Sequence, residues 1–222
     1  RSKARSLPKI DTERQRMYQS GGIENLIRRM LKKHSSPLML IQEDLLEKQF
    51  RIFHKALLEV TPYYPIKANP YPGIIKKFVE LGAGFDVASA NEMNTVLELG
   101  ALPEKIIFAN TIKSNEDIRA AYKKKVKMMT FDNEPELYKI AKYCPGAKVL
   151  IRIKVTNVGS IVELSLKFGA DPEQSISLLK KARSMGLKPV GLSFHVGSQC
   201  TNVENYLQAL EVASAIFNEA KQ

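Results

Sequence analysis

The sequence has 222 residues, 44% of them hydrophobic, enough to bury one large core or a core with a small appendage. Its net charge of +11 invites a polyanion-binding role, but the excess is local: residues 1–34 hold ten Lys and Arg against three Asp and Glu, and the rest hold 24 against 20. No apolar run approaches the ~20 residues of a membrane span, none of the common nucleic-acid motifs occurs, and no apolar stretch follows the basic start RSKARSLPKI to make it a secretory signal. The expected partners therefore include neither membrane nor nucleic acid.

Residues 1–36 read as a basic arm containing an amphipathic helix, IENLIRRMLKK, whose basic face is expected to be solvated. PLMLI (37–41) is a strand candidate that either joins the main sheet or pairs elsewhere, and a helix-like stretch follows from Glu43 to Val60. From residue 62 two textures alternate. Short apolar runs appear at YYPIK (63–67), GFDVAS (84–89), KIIFAN (105–110), KMMTF (127–131), KVLIRI (148–153) and PVGLSFHVG (189–197). Between them lie stretches of helical periodicity: PGIIKKFVELG, NEMNTVLELG, NEDIRAAYKKK, EPELYKIAKY and PEQSISLLKKARSMG. Gly82 and Gly100 are placed as C-caps, Ser114 with Asp117 as a capping box, and Asp171-Pro172 as a helix start.

The repeat is even: Phe85 to Ile106 spans 21 residues, Ile106 to Met128 spans 22, and Met128 to Val149 spans 21. Strands alternating with helices at this spacing imply a parallel sheet. Equal units without a reversal, and no G-x-G-x-x-G, favour a (β/α)8 TIM-type barrel over an open doubly wound sheet. Such barrels are typically ~250 residues long. Residues 37–222, with about six barrel strands, are therefore expected to be the N-terminal portion of an incomplete barrel.

In such a barrel the chemistry gathers at the C-terminal ends of the strands. Those ends carry Lys67, the Asp86–Ser89 stretch, Asn110 with Thr111, Asp132, Arg152, and His195 followed by Gly197-Ser198. Each alone has an ordinary reading, since a strand-end lysine usually snorkels to solvent and a strand histidine is usually a satisfied core residue. Together on one rim they suit catalysis. A lysine desolvated in a pocket bonds an aldehyde. The HVGS turn offers N–H groups and a hydroxyl for a phosphate, and His195 could lie flat against a ring. These parts describe pyridoxal 5′-phosphate, although an aldolase-type barrel would use many of them too. Cys144 and Cys200 have no metal-ligand spacing, so no metal is expected, and they fit a reducing, cytoplasmic compartment.

PYYPIKAN, GFDVASANEM, IIFANTIKS, MMTFDNEPEL, VLIRI, SLKFGA and GLSFHVGSQC, in this order over about residues 37 to 210, resemble the ornithine decarboxylase family, the fold-type III pyridoxal-phosphate decarboxylases of basic amino acids. IIFAN, MTFD and SLKFGA resemble ornithine decarboxylase more than diaminopimelate decarboxylase. The resemblance implies that Lys67 bonds the cofactor, with Asp86 and Glu92 as carboxylates beside it. It implies Arg152 in the cofactor pocket, His195 stacked on the pyridine ring and Ser198 on the phosphate. Lys67 and His195 would then be catalytic, and Lys167 would reach the partner subunit of a homodimer. The implied reaction is decarboxylation of a small-molecule amino acid, ornithine to putrescine in polyamine biosynthesis. Lysine, arginine or diaminopimelate are alternatives, as is a catalytically inactive, antizyme-inhibitor-like regulator. Pro65 and Ala68 depart slightly from the pattern beside the lysine. The family's glycine-rich phosphate loop, its glutamate facing the ring nitrogen, and its later cysteine and aspartates have no counterpart here. Cys200 matches none of them, so this chain alone is expected to be inactive.

Overall fold

The computed structural model describes residues 21–34, 36–155 and 168–221, and the chain divides into two units, residues 1–42 and 43–222. In the first, the amphipathic stretch forms helix α1 (Gly21–Lys33), with Glu24 in its first turn and Lys32 and Lys33 in its last, as the helix dipole favours. Arg28 reaches back one turn to Glu24 at 2.6 Å. PLMLI does not form a strand: Met39 is 77% exposed and Leu40 and Ile41 are also solvated. A strand needs a ladder partner, and among the described residues nothing pairs with this run.

The second unit opens with α2 (Glu43–Ala56) and continues through β1 (Tyr63–Pro65), α3 (Pro72–Glu80), β2 (Gly84–Val87), α4 (Ala90–Glu98) and β3 (Ile106–Phe108). Next come α5 (Asn115–Lys123), β4 (Met128–Phe131), α6 (Glu134–Tyr143), β5 (Lys148–Arg152), α7 (Ser175–Ser184), β6 (Lys188–Ser193) and α8 (Val203–Ala220). The six strands are all parallel and lie in sequence order, with β1 and β6 at the edges. This is the arc of a (β/α) barrel, as the even spacing predicts.

Alternation along the strands separates two faces. Phe85, Val87, Ile106, Phe108, Met129, Phe131, Val149 and Ile151 are buried, and join Met93 and Val96 of α4, Ile118 of α5 and Leu137 and Ile140 of α6 in one core. Each such side chain contributes roughly 1.5–3 kcal/mol of burial. Asp86 and Arg152 alternate with these residues, so they stand on the opposite face, half-buried. Gly84 is dictated by its neighbour, since a Cβ there would lie 2.3 Å from the Tyr63 ring.

The caps follow expectation in part. Ser114 Oγ accepts the Asp117 N–H at 3.0 Å, and Gly82 and Gly100 take φ values of +78° and +102° after their helices. Asp171 differs: it precedes a 3-10 turn, Pro172–Gln174, without capping it by its side chain. Its carboxylate pairs instead with Lys154 at 2.8 Å.

Candidate active site

Lys67 lies two residues past the last residue of β1, in a single 3-10 turn, Ile66–Ala68, rather than on the expected strand. Ile66 is 1% exposed and anchors that turn in the core. The Tyr64 ring stacks on Phe78 at 4.4 Å, and its hydroxyl donates to the Asn69 carbonyl at 3.1 Å. The Asn69 side chain in turn accepts the Tyr71 N–H at 3.0 Å. The amine is thus presented by a well-held turn. It is exposed, not desolvated as the sequence suggests, because the turn carries it beyond the sheet, and among the described residues it makes no hydrogen bond or ion pair.

Asp86 on β2 and Arg152 at the end of β5 share the face that points away from the helices. Burial pushes the Asp86 carboxyl above its ordinary range; Lys67 and Arg152 oppose the shift, and Glu92 adds to it. Burial also lowers the Arg152 pKa, against the charges of Asp132 and Asp86, and the guanidinium sits 5.2 Å from the centre of the Phe168 ring. His195 lies two residues beyond β6, where the ladder ends at Ser193. Its Nδ1 accepts the Gly197 N–H at 2.9 Å, so the neutral ring carries its proton on Nε2. Burial holds its pKa below the ordinary value, and the charges of Arg152 and Lys67 act in the same direction. Lys67, Asp86, Arg152 and His195 thus lie at or just beyond the C-terminal ends of the parallel strands β1, β2, β5 and β6.

Glu92 is turned back on its own helix start. Its Oε2 accepts the Ala88 N–H at 2.7 Å, while its N–H donates to Ser89 Oγ at 3.2 Å. Its charge still reaches Asp86. Ser198 is exposed just after Gly197, whose φ is +102°. The Gly197 N–H is committed to His195, which leaves the Ser198 hydroxyl as the more available donor of that turn. Asn110 donates to the Ala88 carbonyl at 3.3 Å and accepts the Ile112 N–H at 3.2 Å, so it braces the rim loops. Thr111 is buried. Lys167 lies outside the described residues.

Sequence reasoning missed a buried cluster one strand away. Lys113 Nζ donates to the carbonyls of Asn110 at 2.9 Å and Thr130 at 2.6 Å, and pairs with Glu136 Oε1 at 2.9 Å. Lys139 holds the other oxygen of Glu136 at 2.6 Å. Glu136 sits in the first turn of α6, where its N–H is capped by Asn133 at 3.0 Å, so the sequence reads only as a helix start. Two surface clefts, of about 540 and 230 Å³, lie along α2 and between α2 and β1. Neither is lined by Lys67, Asp86, Arg152 or His195.

An exposed amine, a carboxyl, a guanidinium and an imidazole at the C-terminal ends of parallel strands are the groups that amine–carbonyl chemistry uses. The chain belongs to the pyridoxal-dependent decarboxylases: the family described as "Pyridoxal-dependent decarboxylase, pyridoxal binding domain" matches residues 43–222. Its cofactor is accordingly pyridoxal phosphate. Ornithine decarboxylase of Rattus norvegicus is 42% identical over 79% of this chain and 38% of its own length. Antizyme inhibitor 2 of Xenopus laevis is 42% identical over 81% and 39%. The crystal structure of lysine decarboxylase from Selenomonas ruminantium superposes with a TM-score of 0.84 at 39% identity, covering 89% of this chain and 52% of that one. The chain thus spans about half, or less, of the length of these relatives.

Proposed function

We propose that the complete enzyme decarboxylates a basic amino acid, ornithine first, and that this chain supplies the cofactor-holding part of its barrel. The observation that carries the reading is the shared position of Lys67, Asp86, Arg152 and His195 at the C-terminal ends of one parallel sheet. The donor set fits pyridoxal phosphate. An uncommitted amine suits its aldehyde, a flat neutral imidazole its ring, and an exposed hydroxyl beside a left-handed glycine its phosphate.

When bound, pyridoxal phosphate supplies an electron-withdrawing ring conjugated to the substrate nitrogen, which takes up the electrons of the breaking carboxylate bond. Lys67 Nζ would hold the group through its aldehyde carbon, whose oxygen would leave as water, and would be released as an amine when the substrate's amine takes its place. Asp86, whose carboxyl burial pushes above its ordinary range, would hold or accept the proton that this exchange moves. Glu92, already fixed by the Ala88 N–H, keeps a second negative charge near Asp86. Neutral His195 would cover one ring face without adding charge, and Ser198 would hold the phosphate.

The preference for ornithine rests on the likeness to ornithine and lysine decarboxylases. The residues that read the distal amine are proposed to lie outside these 222, as do those that complete the sheet beyond β1 and β6. Apolar Leu207, Leu210 and Phe217 of α8, from 43% to 55% exposed, suit such a further covering layer. The two free thiols, Cys144 and Cys200, suit a cytoplasmic enzyme. Among the described residues no helix is long and apolar enough to cross a membrane. A homodimer contacted by Lys167 completes the proposal; cross-linking from that position tests it.

The second reading, a non-catalytic regulator, has the support of antizyme inhibitor 2. Against it stands the full rim of amine, carboxyl, guanidinium and imidazole. Release of CO2 from ornithine by the complete enzyme, in competition with lysine and diaminopimelate, decides. Ornithine-dependent release supports the decarboxylase, and preference for diaminopimelate overturns the substrate. No release with any of the three returns the protein to the regulator class.

A further inference from the structure

Asp132, the first residue after β4, has both carboxylate oxygens engaged. Oδ1 accepts from the Asn133 side chain at 2.7 Å, and Asn133 is itself fixed as the N-cap of α6. Oδ2 accepts the Gly169 N–H at 2.9 Å, across 37 residues of sequence. Gly169 lies in a short segment alongside β5. The Ala170 N–H donates to the Arg152 carbonyl at 2.8 Å, and the Lys154 N–H donates to the Ala170 carbonyl at 2.9 Å.

The docking is close. A Cβ on Gly169 would lie 2.7 Å from the Lys154 nitrogen, and its φ is +107°, so only glycine fits. The residue before it, Phe168, places its ring 5.2 Å from the Arg152 guanidinium carbon. The order Phe-Gly-Ala therefore has a physical meaning: ring on the arginine, bare backbone against Ile153 and Lys154 just past β5, bridge partner to Ile153.

We propose that Asp132 is a positioning residue for Arg152, acting through the Gly169 N–H to hold Phe168 against the guanidinium. Its charge also lies within reach of Arg152. Asp132 thus fixes the arginine both by geometry and by field, from a different strand end. The consequence for the cofactor rests on the reading above, in which Arg152 faces pyridoxal phosphate; the positioning itself does not.

The test is the NMR signal of the Arg152 Nε–H in the protein without added cofactor. The ring current of Phe168 shifts this signal, and Phe168→Leu reports the full size of that shift. Asp132→Ala is expected to lose at least half of it. Asp132→Asn keeps an oxygen for the Gly169 N–H and is expected to preserve it. An unmoved signal in Asp132→Ala, with a moved one in Phe168→Leu, overturns the proposal. If Asp132→Ala fails to fold, the unmodified protein still decides: the Gly169 amide proton must follow the Asp132 carboxyl titration, and a flat response overturns the proposal. Pyridoxal phosphate is then added, with absorbance read at the lysine-bound band. Weakening of about tenfold in Asp132→Ala and Phe168→Leu is expected. No band at all in the unmodified protein counts against the proposed function and leaves the NMR result standing.

Discussion

Two lysines of this molecule stand near carboxylates beyond the ends of β1 and β3, and they are held in opposite ways. Lys113 is buried, and its amine is committed to two carbonyls and the Glu136 carboxylate. Burial drives its pKa below the ordinary lysine value, with Glu136 opposing the shift. Lys67 is exposed at the tip of a turn, within the charge field of Asp86 and His195, and makes no hydrogen bond or ion pair among the described residues. An amine with every donor in use ties loops together. One with its donors uncommitted is available to bond a carbonyl carbon. The difference lies in hydrogen-bond bookkeeping rather than in residue type.

Substituting each lysine or its partner separates the two roles most directly. Lys67→Ala is expected to lower decarboxylation by the complete enzyme on the order of 10³-fold or more, because both the cofactor link and the returning amine are lost. Steady-state rates check this, and a variant that keeps a tenth of the activity contradicts the role. Next in size, Glu136→Ala leaves the Lys113 charge buried without its carboxylate and is expected to cost roughly 3–5 kcal/mol of stability. Urea unfolding measures it, with a loss under about 1 kcal/mol counting against a structural pair.

Lys113→Met sharpens the contrast. It removes the buried charge but leaves Glu136 paired with Lys139 at 2.6 Å, so its expected cost is smaller, about 1–3 kcal/mol from the two carbonyls left without a donor. Cofactor attachment at Lys67 should be unchanged in this variant, as mass spectrometry would show. The smallest effect is a pH dependence. The His195 pKa in the folded protein lies below its ordinary 6.5, so the unfolded chain binds the extra proton first as pH falls. The stability contributed by neutral His195 is therefore full above about pH 6.5 and is lost as pH drops toward the folded pKa. An NMR titration of the ring that gave a midpoint above 6.5 would reverse that sign.

The alternating units were legible in the sequence because strand and helix periods differ and the punctuation is explicit. Ser114 caps α5 as expected, although the Asp117 carboxylate turns to the Ala90 N–H instead of closing the box, and the six-stranded order follows from the even spacing. Strand ends were harder. Ile66 and Val196 prolong the apolar pattern after the ladders stop at Pro65 and Ser193, so Lys67 and His195 read as strand residues when they sit on turns. PLMLI failed for the same reason, since β-forming composition does not supply a partner strand. The chemical types at the rim were visible, but the desolvation imagined for Lys67 was not borne out. The Lys113–Glu136 pair and the Asp132–Gly169 contact span 23 and 37 residues. No local pattern encodes them.

Lys67, and not buried Lys113 or any other lysine, is proposed as the amine that meets the cofactor. The protein is incubated with pyridoxal phosphate, reduced with borohydride, digested and mapped by mass spectrometry. The pyridoxyl group is expected on Lys67, far above the level on any other lysine. Label on Lys113, or label spread over exposed lysines with Lys67 no richer than the rest, would contradict it.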